Sequence, residues 1–435
     1  MSATYTDAHT ESAIDLYELR QNWLNETEIY TSAFEGVEER LCASIYHCSR
    51  VLTQADIENS AEQTEQLKFL KKSPECFVYL ASRVISKTPQ ISNAGLDLAY
   101  QWLMQDAAKA DAAEAALSLY PLQDQTRLLK LYEEQETLRP ALFRIFRKQM
   151  LEVPLTTVST AAKDETSSAA LKIETLRYAA ARPEIGLDLF RTHYVPLLSG
   201  KTQFDAGIVE AALWGGMVRG DDDVIKAISV ALSHAGSATD HAKLMRLAAL
   251  TDNAEFLPLL LMAAENNPDT GYPLLVLFGQ KNVIPELLKA LEIAHTMEQA
   301  AAAFNQLTDL ILPRVPRLTV VGEDTEEAEE EAPAQIPDIK AARSWWDKHQ
   351  VVWKSDERWL YGKPCNPAHL TNLSKKHAGS FGRDIFALLA LVNKSPLNIP
   401  AETWNLRKIQ LLAAQATAKP AAAKAPAKSA SARHA

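Results

Sequence analysis

The sequence predicts an all-α protein, an α-solenoid of antiparallel HEAT-like helix pairs with a small helical module at its C-terminal end. Three observations carry this. Apolar residues recur at three- and four-residue steps, as in Ile14, Leu16, Tyr17, Leu19, Trp23 and Leu24, and again in Phe34, Val37, Leu41, Ile45 and Val51, the period of a helix buried on one side. Asp, Asn, Ser or Pro helix starts return every ~15 residues, the length of one repeat helix and its turn. The 15 glycines among 435 residues fall well short of the usual share of about 7%, too few for the tight turns of a β-sandwich.

Residues 1–10 are polar and are expected to be disordered. The array then occupies residues 11–321. A first helix pair covers residues 11–52, breaking near Thr31 and Ser32, and a third helix covers residues 60–72. The next opens at Ser73-Pro74-Glu75, which combines an N-cap, a proline at the first helical position and an acid in the first turn. Helices follow to about Met150. A looser Thr- and Ser-rich stretch spans residues 152–168, after which helices resume as far as Leu312.

Residues 322–337 hold seven acids and two prolines. Like charges repel and proline donates no hydrogen bond, so an acidic linker is expected. Beyond it lies a module at residues 338–415 with five of the eight tryptophans, Trp345, Trp346, Trp353, Trp359 and Trp404. It is expected to fold back and cover the last repeats, because an open array leaves apolar surface at its end. The Ala/Lys/Pro tail, residues 416–435, is low-complexity and expected to be disordered.

The formal net charge is −10. The tail carries Lys419, Lys424, Lys428 and Arg433 with no acid, so the remainder stands at −10 − 4 = −14. Such a body repels phosphate backbones, and no nucleic-acid partner is expected. The N-terminal stretch lacks the apolar segment of a signal peptide, and no apolar run is long enough to span a bilayer. A cytoplasmic protein without membrane insertion is the expectation. Cys42, Cys48, Cys76 and Cys365 match no zinc or redox spacing, and reduced, mostly buried thiols are expected.

No phosphate loop, dinucleotide fingerprint, nucleophile elbow or zinc-protease motif occurs, so neither catalytic residues nor a metal or cofactor are expected. Asp221-Asp222-Asp223 lacks the alternation and closing Glu of a calcium loop and reads as a helix start. Trp214, before Gly215 and Gly216, is either core or a ligand-stacking aromatic on the concave face. Arg139, Arg144, Arg147 and Lys148 form the most basic helix and would be the cradle of a helical-repeat DNA-repair enzyme.

The C-terminal module supplies a resemblance. Ala341-Ala342-Arg343-Ser344-Trp345-Trp346, then Glu357-Arg358-Trp359-Leu360-Tyr361-Gly362-Lys363-Pro364, then the helix through Arg383, Ala387, Leu388, Leu389 and Ala390 resemble an uncharacterised proteobacterial family of HEAT-repeat-like proteins, some encoded within type VI secretion gene clusters. The resemblance brings no catalytic residues with it. It implies a scaffold or adaptor that handles secretion components or cargo. The other readings are an immunity-type protein that neutralises a toxin and the DNA-repair enzyme. On physical grounds Gly362 suits a turn with positive φ, Pro364 stiffens the chain just after it, and Arg358 is expected to bond carbonyls of that turn. Trp345 and Trp346, about 100° apart on a helix, divide between core and linker side. With Trp359, these residues either seal the array or dock a partner.

Overall fold

The computed structural model describes residues 3–27, 29–53, 70–119, 125–200, 202–317, 335–394 and 403–404. Helix makes up 71% of the structure, as the periodicity requires. Most of the third expected helix, most of the acidic linker and the Ala/Lys/Pro tail lie outside the described residues; residues 70–72, the end of that expected helix, are not helical.

The chain opens with α1 (Ala3–Asn25), the short strand β1 (Ile29–Tyr30) and α2 (Thr31–Val51). Then come α3 (Ser73–Val84), α4 (Pro89–Trp102), α5 (Ala107–Leu119), α6 (Thr126–Glu134) and α7 (Arg139–Gln149). The middle of the array holds α8 (Leu155–Lys163), α9 (Ala169–Ala180), α10 (Asp188–Leu198), α11 (Ala206–Val218) and α12 (Asp223–Ser233). It ends with α13 (Ala238–Thr251), α14 (Leu257–Asn266), α15 (Pro268–Phe278), α16 (Val283–Ala290) and α17 (Met297–Thr308). Strand β2 (Arg314–Pro316) pairs antiparallel with β3 (Gln335–Pro337), Val315 opposite Ile336. Beyond are α18 (Ile339–His349), the hairpin β4 (Trp359–Leu360) and β5 (Lys363–Pro364), α19 (Pro367–Ser374), β6 (His377–Ala378) and α20 (Gly379–Val392).

The helix starts follow from capping chemistry. Ser168, Asp205, Ser237, Asp338 and Asn366 each accept a backbone N–H of the first turn, satisfying donors that the helix itself leaves open. Prolines at the first turns of α3, α4, α7, α14 and α15 need no such partner. Left-handed residues end four of the described helices, at Met150, Asp252, Gly279 and Asp309.

Each odd-numbered helix from α1 to α17 packs on the next odd-numbered one, and the even-numbered helices lie against them as a second layer. That is the solenoid arrangement. One apolar core runs from Ala13 to Trp404. Helix α20 contacts both α1 and α11, and Arg246 on α13 grips its Asp384 with Nε at 3.0 Å and Nη2 at 2.6 Å. The odd layer therefore curves inward around α20, the last of the described helices. No described helix is long and apolar enough to cross a membrane.

Four local expectations need correction. Helix α1 starts at Ala3, so residues 3–10 are helical rather than disordered. The ring of His9 stacks on His47 at 4.7 Å and the Thr10 hydroxyl lies 3.5 Å from the Cys48 thiol, contacts with α2 that hold this polar start in place. The first helix pair breaks at residues 26–30 rather than at Thr31, because β1 pairs with β6, Ile29 opposite Ala378 and Tyr30 opposite His377. The Thr-rich stretch contains α8, whose Val158, Ala161 and Ala162 are buried; tertiary burial overrides weak propensity there. The last residues assigned to the acidic linker, 335–337, form β3.

The seam between the two ends of the chain turns on Gly379. Its φ is +66°, and a Cβ there would sit 2.2 Å from the Glu26 carbonyl oxygen, which accepts the Ser380 N–H at 2.9 Å. Gly379→Ala is expected to cost about 1–3 kcal/mol through backbone strain. Amide exchange should rise first at residues 29–31 and 376–380. An unchanged exchange pattern there would contradict the assignment of this seam.

Candidate functional site

The residues singled out in the C-terminal module meet on the last helices of the array. Trp346 and Trp353 pack edge to face at 5.5 Å, and Trp353 stacks on Trp359 at 4.5 Å. All three are buried. Trp345, the neighbour of Trp346 on α18, points elsewhere: it meets Phe304 of α17 edge-on at 5.8 Å and stacks on His349 at 4.2 Å. The pair divides as the helical geometry dictates, one ring to the tryptophan cluster and one to α17.

The β4–β5 hairpin turns on Tyr361 and Gly362, both with positive φ, 45° and 68°, the signature of a two-residue turn that matches strand twist. The Tyr361 N–H donates to the Gln306 carbonyl at 2.7 Å and the Gly362 N–H to that of Leu307 at 2.8 Å. The turn thus satisfies carbonyls that α17 leaves open at its C-terminal end. A Cβ at Gly362 would lie 2.9 Å from the Thr308 carbonyl oxygen, so both φ and space demand glycine. Pro364 pairs with Trp359 across the hairpin.

Arg358 does not bond the carbonyls of its own turn, as the sequence suggests. Its Nη2 donates to Ala249 at 3.2 Å and Leu250 at 2.9 Å, and its Nε to Phe278 at 3.2 Å. These are the last-turn carbonyls of α13 and α15, where the negative ends of two helix dipoles favour a cation. Burial pulls the Arg358 guanidinium below its ordinary value, and Asp252, 3.9 Å away, opposes this. The same burial pushes the Cys365 thiol up to about 12, and the thiols of Cys42 and Cys76 to about 11.

Trp214 stands apart from this group. It lies within α11 and is 6% exposed. Helix α11 does not end at Gly215 and Gly216 but runs on to Val218, and a Cβ at Gly215 would strike the Phe190 ring at 2.1 Å. The glycines serve the close approach of α10 to α11, and Trp214 is core.

The basic helix α7 is internally engaged. Arg144 and Lys148 reach Glu114 at 2.8 Å and 2.7 Å, and Arg147 lies 3.7 Å from Glu174. Burial alone would raise the Glu114 carboxyl, but Lys148 and Arg144 outweigh it and hold it below the ordinary value. The aspartate triplet also serves packing. Asp221 and Asp223 clasp Arg191 of α10 at 2.7 Å and 2.6 Å, and the Tyr194 hydroxyl donates to Asp221. Among the described residues no three His, Cys, Asp or Glu side chains form a metal-binding group.

Sequence reasoning missed an open cleft of about 430 Å³ beside α20. Tyr272, Leu277, Phe381 and Leu388 give it an apolar floor, and Glu26 and Asp269 stand at its edge. It is built by α15, α17, α20 and the end of α1, elements far apart in sequence, so no local motif signals it. No protein-family model, curated protein or solved structure matches the chain.

Burial separates the tryptophans. Trp359→Ala is expected to cost about 3–5 kcal/mol, the cavity penalty of a fully buried indole. Trp345→Ala, half-buried, should cost clearly less. Urea unfolding of the full chain reads both. Equal and small losses would mean that the tryptophan cluster does not seal the array.

Proposed function

We propose that this protein is a non-enzymatic protein-binding scaffold, and that its partner seats in the cleft beside α20. The observation that carries this reading is the cleft itself. It is about 430 Å³, apolar at its floor and acidic at its edge through Glu26 and Asp269. That chemistry suits a segment presenting an apolar side chain next to Lys or Arg, with charge setting the approach and specificity. The inner groove of the array is filled by α20, so a partner reaches the flank of this helix rather than an empty concave surface. Trp345, Trp346, Arg358, Trp359, Gly362 and Pro364 then belong to the seal that fixes α20 in place.

By the resemblance of the C-terminal module, the partner is a component or cargo of a type VI secretion system handled in the cytoplasm. The acidic edge and the net charge of −10 also favour a second reading, an immunity-type protein bound to a basic toxin. The repair-enzyme reading loses support, since Arg144, Arg147 and Lys148 are engaged by Glu114 and Glu174.

The double variant Glu26→Lys with Asp269→Lys tests the site. Partner recovered from the native host should fall roughly tenfold or more, as expected for reversing charges at an interface, while the thermal melt stays unchanged. A partner whose removal stops secretion favours the adaptor; one that kills the host without this protein favours immunity. Undiminished recovery by the double variant would refute the cleft as the binding site.

A further inference from the structure

The shape of the cleft beside α20 constrains what can lie in it. Along α15 its lining residues Asp269, Tyr272 and Val276 follow at steps of three and four. Gln299, Ala302 and Gln306 do the same along α17. On the facing wall Phe381, Ile385 and Leu388 repeat the pattern along α20. Such steps keep to one face of a helix, so three helices each turn a face about two turns long toward one trough.

Among the described residues no lysine or arginine lines this trough, and its charged groups are Glu26, Asp269 and Asp384. Asp384 is held by Arg246 at 2.6 Å. The other two stand at opposite ends. Asp269, in the first turn of α15, accepts at 2.9 Å from Nε2 of Gln299, in the first turn of α17. Pro273, inside α15, has no N–H for the Asp269 carbonyl, so carboxylate and carbonyl both offer acceptors there. Toward the far end of α17 the Gln306 carbonyl takes the Tyr361 N–H at 2.7 Å, and the Tyr361 ring meets Phe381 edge-on at 5.9 Å. There the Glu26 carbonyl takes the Ser380 N–H at 2.9 Å. The stretch from Gln299 to Gln306 corresponds to about 10 Å of helix.

An extended segment would find little to pair with, because the backbone groups of helical walls are bonded within their own helices. A helix brings its own backbone bonds and needs only apolar side chains at matching steps. We propose that the occupant of the trough is an amphipathic α-helix of a partner protein, with apolar residues at three- and four-residue steps and a Lys or Arg toward each end, one meeting Glu26 and the other Asp269. This rests on the reading of the cleft as the partner site, and adds the partner's conformation and the placing of its cations.

The probe is a capped, fluorescein-labelled, alanine-based peptide of about 16 residues, long enough for partial helix in water. It carries three leucines at three- and four-residue steps and a lysine one turn beyond each outer leucine. Anisotropy reads its binding to the full-length chain, and circular dichroism reads the helix gained. It should gain helix and bind roughly tenfold or more tightly than a scrambled peptide or one with a central proline. Glu26→Lys with Asp269→Lys should weaken it roughly tenfold. That double variant should instead prefer a peptide with glutamates in place of the lysines, which a loss of fold would not produce. Ala302→Trp, at an exposed position on the α17 wall, fills the trough without touching a charge and should abolish binding with the thermal melt unchanged. Absence of binding overturns the helix, and so does equal binding of the scrambled or proline peptide. If the native partner is still lost on Glu26→Lys with Asp269→Lys, the cleft stands as the partner site and only the helix falls. If the native partner is retained, both fall.

Discussion

The last turn of every α-helix leaves carbonyl groups with no partner inside the helix, and this structure depends on how those at the end of the array are met. Three successive odd-layer helices, α13, α15 and α17, present such carbonyls to one side. Arg358 takes those of α13 and α15, and the backbone of Tyr361 and Gly362 takes those of α17. A lysine, with one compact head group, could not serve three carbonyls spread over two helices; the planar fork of arginine can. The Arg358 side chain is buried, and the low local dielectric strengthens each of these bonds. From this anchor the chain is directed through α19 to α20 and into the interior of the array.

The distribution of charge follows the same logic of internal use. A helix with four cations looks, in isolation, like a surface for an anion. In the fold, Arg144 and Lys148 converge on one buried glutamate, and Arg139 donates to the Tyr132 carbonyl at 3.0 Å. Asp221 and Asp223 similarly join α10 to the start of α12 through Arg191. Glu26 and Asp269, in no ion pair among the described residues, stand exposed at the cleft beside α20.

The class of fold was legible because its cause is local. Helical periodicity, caps and helix-starting prolines all act within one turn, and the structure repeats them. The fold-back of the C-terminal module was legible for a different reason: an array end needs a cover, and the tryptophans offered one. The partners were not legible. Arg358 meets carbonyls 80, 109 and 108 residues away, and nothing in its own neighbourhood points to them. The two-residue strands β1 and β6 are too short to leave an alternation pattern, so the seam they form was invisible. That Trp345 and Trp346 diverge was legible from helical geometry, but not that Trp345 would meet Phe304 of α17, and Glu26 and Asp269 carry no signal until distant helices bring them together.

The seam has a consequence for how the chain is made. A repeat array ordinarily folds by neighbour-to-neighbour growth, each unit adding to the last. Here the Ser380 hydroxyl meets the Glu26 carbonyl across 354 residues of sequence. Closing a loop of that length costs on the order of 5 kcal/mol in chain entropy, recovered once the intervening helices are in place. The first helix pair emerges from the ribosome long before its partner strand exists. During synthesis it must wait with the β1 edge unpaired, the condition under which nascent chains associate with one another. Once β6 arrives, neither end can fray independently, and a linear array gains the all-or-none unfolding of a closed globule.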